Sequence, residues 1–173
     1  MITIDGGTGI ILHNGVEIAS DKMHDQWVVE SDESVSNTVL TNWTRSSLSD
    51  AAPYLTGMSH SSGIFTFPKT GVYRIDFRFG YYKSDYRRYV GALMQLSTNS
   101  GSSYFDIGRS YTHLYDVDSN NTFNTSIVNS HIDVQNASTY RMRFKCEAQD
   151  TVTLYGANDD TRTMVTFNRI ANT

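Results

Sequence analysis

The sequence has one cysteine, Cys146, and two prolines, Pro53 and Pro68, in 173 residues. A lone cysteine closes no disulfide within the chain, so burial or association with other chains must supply the stability. Cys146 falls inside a strand pattern and is expected to be a small buried hydrophobe. Positive charge is scarce too. Fourteen Lys and Arg stand against 18 Asp and Glu, a net charge of -4. General nucleic-acid binding draws on a basic surface, so no nucleic-acid partner is expected. No window approaches the ~20 apolar residues of a membrane-spanning helix, and no membrane insertion is expected. The opening MITIDGGTGI has neither a basic start nor a long apolar run, so no signal peptide is expected there. The Asn-x-Ser/Thr triplets at Asn42, Asn120, Asn124 and Asn136 are then expected to reflect a chain rich in Asn, Ser and Thr. No stretch shows a sustained 3.6-residue period with capping residues.

Aromatic residues are plentiful, with 11 Tyr and 8 Phe, and they suit pleated surfaces. The stretch GIFTFPKTGVYRIDF, residues 63 to 77, shows what they build. Phe65, Phe67, Tyr73, Ile75 and Phe77 fall on odd positions, whereas Val72, Arg74, Asp76 and Arg78 fall on even ones. Period two means one dry face and one wet face. Pro68 and Gly71 bracket a turn, so a pair of strands sharing one apolar face is expected. STYRMRFKCEAQ repeats the alternation, with Tyr140, Met142, Phe144, Cys146 and Ala148 on one side. QWVVES, SNTVLTNW, RYVGALMQLST, SYFDIGRSY, TFNTSIVNSHIDV, TVTLYGA and TRTMVTFNRIA complete a set of about eight to ten short strands, the mark of an all-β sandwich or jelly roll. Residues 1 to 25 differ. Ile2, Ile4, Ile10 and Ile11 are interrupted by glycines, and Asn14-Gly15 is a hairpin signal. This arm has too little volume for a core of its own.

Catalytic and metal-binding patterns are weak. His13, His24, His60, His113 and His131 show no zinc-ligand spacing. Gly57-Met-Ser59-His60-Ser61 lacks the second glycine and the strand-turn-helix setting of a nucleophile elbow. Asp116-Val-Asp118-Ser-Asn120 matches the first three ligand positions of a calcium loop. Asn121 and Ile127 then stand where the EF-hand needs Gly and Glu. A looser calcium site or an Asx-rich turn remain the two readings of Asp116 and Asp118. No carboxylate pair is placed for glycoside hydrolysis. No cofactor, no metal and no enzyme activity is expected. YYKSDYRRY, residues 81 to 89, concentrates Tyr82, Tyr86, Arg87, Arg88 and Tyr89 as a candidate binding surface, because Tyr and Arg combine large area with polar tips.

Phe65-x-Phe67, Pro68-x-x-Gly71-x-Tyr73-x-x-x-Phe77 and the terminal MVTFNRIA together resemble the globular head of complement's first component, a jelly roll shared with tumour necrosis factor. Ile75 stands where that signature has Phe. NWTR at 42 to 45, LTGMSHSSGIFTFPKTGVYRIDF at 55 to 77 and the opening ITIDGGTGI are similar to bacteriophage virion proteins that carry this head. The resemblance implies an all-β jelly-roll β-sandwich over residues 26 to 173, preceded by an extended N-terminal attachment arm over residues 1 to 25. It implies a homotrimer with one sheet of each protomer facing its neighbours. Arg74, Asp76 and Arg78 then sit at the trimer contact, or else are solvated. It implies a non-enzymatic structural role in the virion, as a short fibre or decoration protein. Ile2, Ile4, Ile10 and Ile11 would dock on capsid or tail proteins. The alternative is a tail-fibre tip in which residues 81 to 89 meet a host-surface glycan.

Overall fold

A computed structural model of the chain describes residues 23–47 and 56–173 in full, with the backbone of three short strands before them. These are β1 (Ile2–Ile4), β2 (Ile11–His13) and β3 (Val16–Glu17). They form an antiparallel sheet of their own, with Ile4 opposite Ile11 and His13 opposite Val16. Ile10 and the Asn14-Gly15 turn lie outside the described residues.

Twelve further strands follow among the described residues. They are β4 (Met23–Val29), β5 (Glu33–Val35), β6 (Trp43–Arg45), β7 (Ser59–Ser61), β8 (Ile64–Thr66), β9 (Gly71–Lys83), β10 (Arg87–Ser97), β11 (Phe105–Leu114), β12 (Thr122–Val134), β13 (Arg141–Ala148), β14 (Val152–Leu154) and β15 (Met164–Ala171). The larger sheet runs β5-β14-β9-β15-β4-β6, with β12 along the other edge of β9, and the smaller runs β11-β10-β13-β8-β7. This is the expected all-β jelly-roll sandwich. Its strand alternation follows the sequence closely. Tyr73, Ile75, Phe77, Phe79 and Tyr81 of β9 are fully buried, while Arg74 and Arg78 between them are exposed. Met142, Phe144, Cys146 and Ala148 of β13 face them from the smaller sheet. Phe144 packs on Phe77 at 4.9 Å, Phe65 at 5.5 Å and Trp43 at 5.6 Å between ring centroids. Each such pair adds about 0.5–1.5 kcal/mol beyond simple area burial.

Three expectations need correction. The strands on either side of Pro68 are not paired with each other. β8 pairs with β13 and β7, while β9 lies in the opposite sheet. The turn carries the chain across the core, so the two strands share its interior from opposite sides. Gly71 makes the crossing at φ +138°, and a Cβ there would come 2.5 Å from Arg169 Nε. SNTVLTNW is not a continuous strand. Asn37 takes a positive φ. Val39 bridges Lys145, and Leu40 N–H donates to Phe144 O at 2.9 Å, so the segment caps the edge of β13. Finally, the division after residue 25 falls inside β4, because Met23 and His24 already pair with Arg169 and Asn168 of β15.

Candidate functional site

The outward face of the larger sheet gathers the residues of interest in cross-strand rows. Arg74 lies between His131 of β12 and Asn168 of β15, and Asp76 lies between Asn129 and Thr166. Arg78 lies between Ile127 and Met164. The face has two ends of different character. At one, polar groups are already matched: Arg74 Nε meets Asp76 Oδ2 at 3.1 Å, and His24 Nδ1 meets Asn168 Oδ1 at 2.7 Å. At the other, Ile127 is 60% and Phe123 56% exposed. Phe123 belongs to an aromatic cluster with Tyr82 at 4.9 Å and Tyr155 at 5.1 Å. The Tyr82 hydroxyl donates to Asp32 at 2.9 Å, which pins the ring and raises its pKa. Arg162 stacks over Tyr155 at 4.3 Å and donates to Asp160 at 3.0 Å. That hydrogen bond holds the Asp160 carboxyl below its usual range. Phe123, Tyr155, Asp160 and Arg162, with Arg78 and Thr125, line a cleft of about 550 Å³.

Residues 81 to 89 do not form one loop cluster. Tyr81 is core. Tyr82 joins the larger-sheet face, and Tyr86 is exposed at the corner. Tyr89 belongs to the smaller sheet, 6.0 Å from Tyr111. Arg87, expected at the surface, is buried. Its Nη2 donates to Thr151 O at 3.1 Å, its Nη1 to Tyr86 O at 2.8 Å, and Asp85 neutralises it at 2.9 Å. It fastens the corner where the chain changes sheets, and only Arg88 of the two arginines reaches solvent. Phe123 and Tyr155 were not singled out from sequence. Alternation in TFNTSIVNSHIDV does place Phe123 and Ile127 together on the wet side. Tyr155 follows a short strand and carries no such signal.

The remaining sequence candidates fall as follows. The side chains of Ile2, Ile4 and Ile11 lie outside the described residues. Asp116 and Asp118 sit in a tight turn in which Asn120 N–H donates to Val117 O at 2.9 Å and Asp118 and Ser119 take positive φ. Among the described residues no three His, Cys, Asp or Glu side chains converge as a metal site. His60 is a structural acceptor: its Nε2 takes the Gly63 N–H at 2.9 Å, and its ring packs on Phe65 at 4.8 Å. Burial pushes the Cys146 thiol up to about 12. The unexpected residue is Asp25, fully buried in the inward row of β4. It accepts from Trp27 Nε1 at 2.9 Å, Met58 N at 2.7 Å and Arg45 Nε at 3.2 Å. Gly57 permits this approach, since a Cβ would come 2.5 Å from Asp25 Oδ2.

No protein-family model and no curated protein matches the sequence. Solved structures do match the fold. Eiger TNF from S. frugiperda superposes with a TM-score of 0.66 over 88% of this chain and 93% of that chain, at 14% identity. Murine APRIL superposes with a TM-score of 0.57 over 87% of this chain and 100% of that chain, also at 14% identity. The sandwich is therefore a tumour necrosis factor-like jelly roll, and at this identity the likeness is one of fold.

Proposed function

We propose that the chain is a non-enzymatic display head that self-associates as a homotrimer through the outward face of the larger sheet. In this reading residues ahead of β4 attach it to a bacteriophage particle, as a short fibre or decoration protein with capsid or tail proteins as partners. The observation that carries self-association is the exposed apolar end of that face: Ile127, Phe123 and the Tyr82 and Tyr155 rings around it. Contiguous apolar surface on a soluble domain marks a contact site. The polar end suits the same role. Arg74, Asp76, His24 and Asn168 are partnered within the chain, so they can enter an interface without stranding a charge. The tumour necrosis factor-like fold supports three as the stoichiometry. The NWTR and 55 to 77 blocks support the virion setting.

Light scattering on the purified chain, at low and high salt, with and without residues 1 to 22, tests this. The expected result is the mass of three chains in every case, with the truncated head still trimeric. A monomer under all conditions overturns the reading.

A further inference from the structure

We propose that the outward face of the smaller sheet binds an acidic saccharide, a sugar ring bearing a carboxylate or sulfate group, in the cleft between Arg88, Tyr89, Tyr111 and Glu147. The cleft has a volume of about 500 Å³, within the range of small-molecule sites. A glycine sets its floor. Gly91 of β10 lies between Tyr111 of β11 and Glu147 of β13, and a Cβ at Gly91 would come 2.4 Å from the Tyr111 ring. The ring lies down against the Gly91 backbone, with 43% of the residue still exposed. Tyr89 stands at 88° to it with centroids 6.0 Å apart, so the two rings form a corner. Sugar rings present apolar C–H faces to such walls and hydroxyls to the rim. The rim is built for them. The Tyr111 hydroxyl donates to Glu147 Oε2 at 2.6 Å, which fixes the ring and leaves the carboxylate lone pairs to accept from sugar hydroxyls.

Charge selects the class of sugar. The chain as a whole carries -4. This face nevertheless displays Arg88, Arg109, Arg141, Arg143 and Lys145 against Asp106 and Glu147. Asp106 is already held by Arg109 and by Gln95 Nε2. Arg141 is spent on the carbonyls of Ala137, Ser138 and Tyr140. Arg143 is spent on Gln95 and the Tyr104 ring. Arg88 lies over Tyr89 at 5.7 Å, and Lys145 lies two residues along β13 from Glu147. Neither forms a salt bridge among the described residues, and Arg88, which lines the cleft, is placed to meet an anion at the corner. The cleft is on the sheet opposite the self-association face and does not depend on that reading.

Calorimetric titration of the full chain at fixed ionic strength provides the test. The probes are tetragalacturonate, a sulfated galactose tetrasaccharide, the neutral galactose tetrasaccharide and inorganic phosphate. One or both acidic sugars should bind saturably, the tighter identifying the anionic group. The neutral sugar should bind about tenfold more weakly, and phosphate should not bind. Tyr111→Ala should abolish binding, as should Gly91→Ala, which pushes the ring off its seat, with thermal midpoints confirming that both variants fold. Arg88→Gln should retain sugar binding but lose the preference for acid. Failure of both acidic sugars to saturate at millimolar concentration overturns the proposal. So does phosphate binding as tightly as the sugars, or a Tyr111→Ala variant with unchanged affinity.

Discussion

Two residues show how far a side chain's surroundings can depart from its type. Asp25 is a carboxylate in an apolar row, and it is tolerable there because every group facing it is a donor: an indole N–H, a backbone N–H and a guanidinium. A carboxylate is acceptor-only and suits such a shell, whereas an amide is half donor. Asp25→Asn should therefore cost nearly as much as Asp25→Ala, about 3 kcal/mol in urea unfolding, since either leaves buried donors unmatched beside a cation. If the Asn variant were as stable as wild type, the donor-shell account would fail. His60 makes the converse case. Its ring is lowered from the ordinary 6.5 by burial, and its Nε2 lone pair is already used by the Gly63 N–H. Protonation is thus disfavoured in the fold. The stabilisation is present above pH 6.5 and is lost as the pH falls through the lower folded value. Ring titration by NMR should give a midpoint below 6.5. Urea unfolding should show stability falling toward acid by an amount that His60→Gln removes. A midpoint at or above the free-histidine value would refute this.

At the scale of the element, β9 is the organising strand, because it is paired along both edges. One edge follows β12 throughout. The other follows β15 as far as Arg78 and then passes to β14 at Tyr81. The gap falls at Gly80, where Tyr155 N–H donates to Gly80 O at 2.9 Å and a hydroxyl completes the bridge: Thr163 Oγ1 accepts from Gly80 N–H at 3.1 Å and lies 2.9 Å from Tyr155 O, to which it donates. Thr163→Val keeps the shape and removes these bonds, at an expected cost of about 1–3 kcal/mol. Gly80→Ala should cost at least as much, because its Cβ would meet Arg162 O at 2.7 Å. Equilibrium denaturation reads both, and a neutral Thr163→Val would show that the junction needs no bridge. This junction also marks the limit of what the sequence reveals. Side-chain alternation is local, so the inward rows of β9 and β13 were legible residue by residue. Pairing is not local. Nothing in GIFTFPKTGVYRIDF distinguishes a hairpin from a crossing between sheets, because both place the same residues on the same core. For the same reason residues 81 to 89 read as one surface, whereas the corner at Arg87 divides them between two sheets. Tyr111 could be recognised as a platform only once Gly91 was seen opposite it.

At the scale of the whole molecule, the two sheets differ in what they leave exposed. The smaller sheet covers itself with a ladder of paired polar groups, Asp106 with Gln95 and Gln95 with Arg143. Along that ladder it has little to gain from a protein neighbour. The larger sheet ends in Ile127, Phe123, Tyr82 and Tyr155, whose removal from water would contribute about 1.5–3 kcal/mol for each large side chain fully buried. Its charged end would contribute little, since an exposed pair such as Arg74–Asp76 is typically worth 0–1 kcal/mol at most. In the proposed trimer the two ends of the face therefore have separable effects on assembly. Ile127→Asp combined with Phe123→Asp places charge where the apolar contact should close, and light scattering should show the mass falling from three chains to one while circular dichroism keeps the β signature. Arg74→Ala should leave the trimer intact and change only the salt dependence of its dissociation. If instead Arg74→Ala dissociated the particle and the double aspartate variant did not, the driving surface would be the polar row that the sequence first suggested, with the aromatic cluster left as solvent-facing packing.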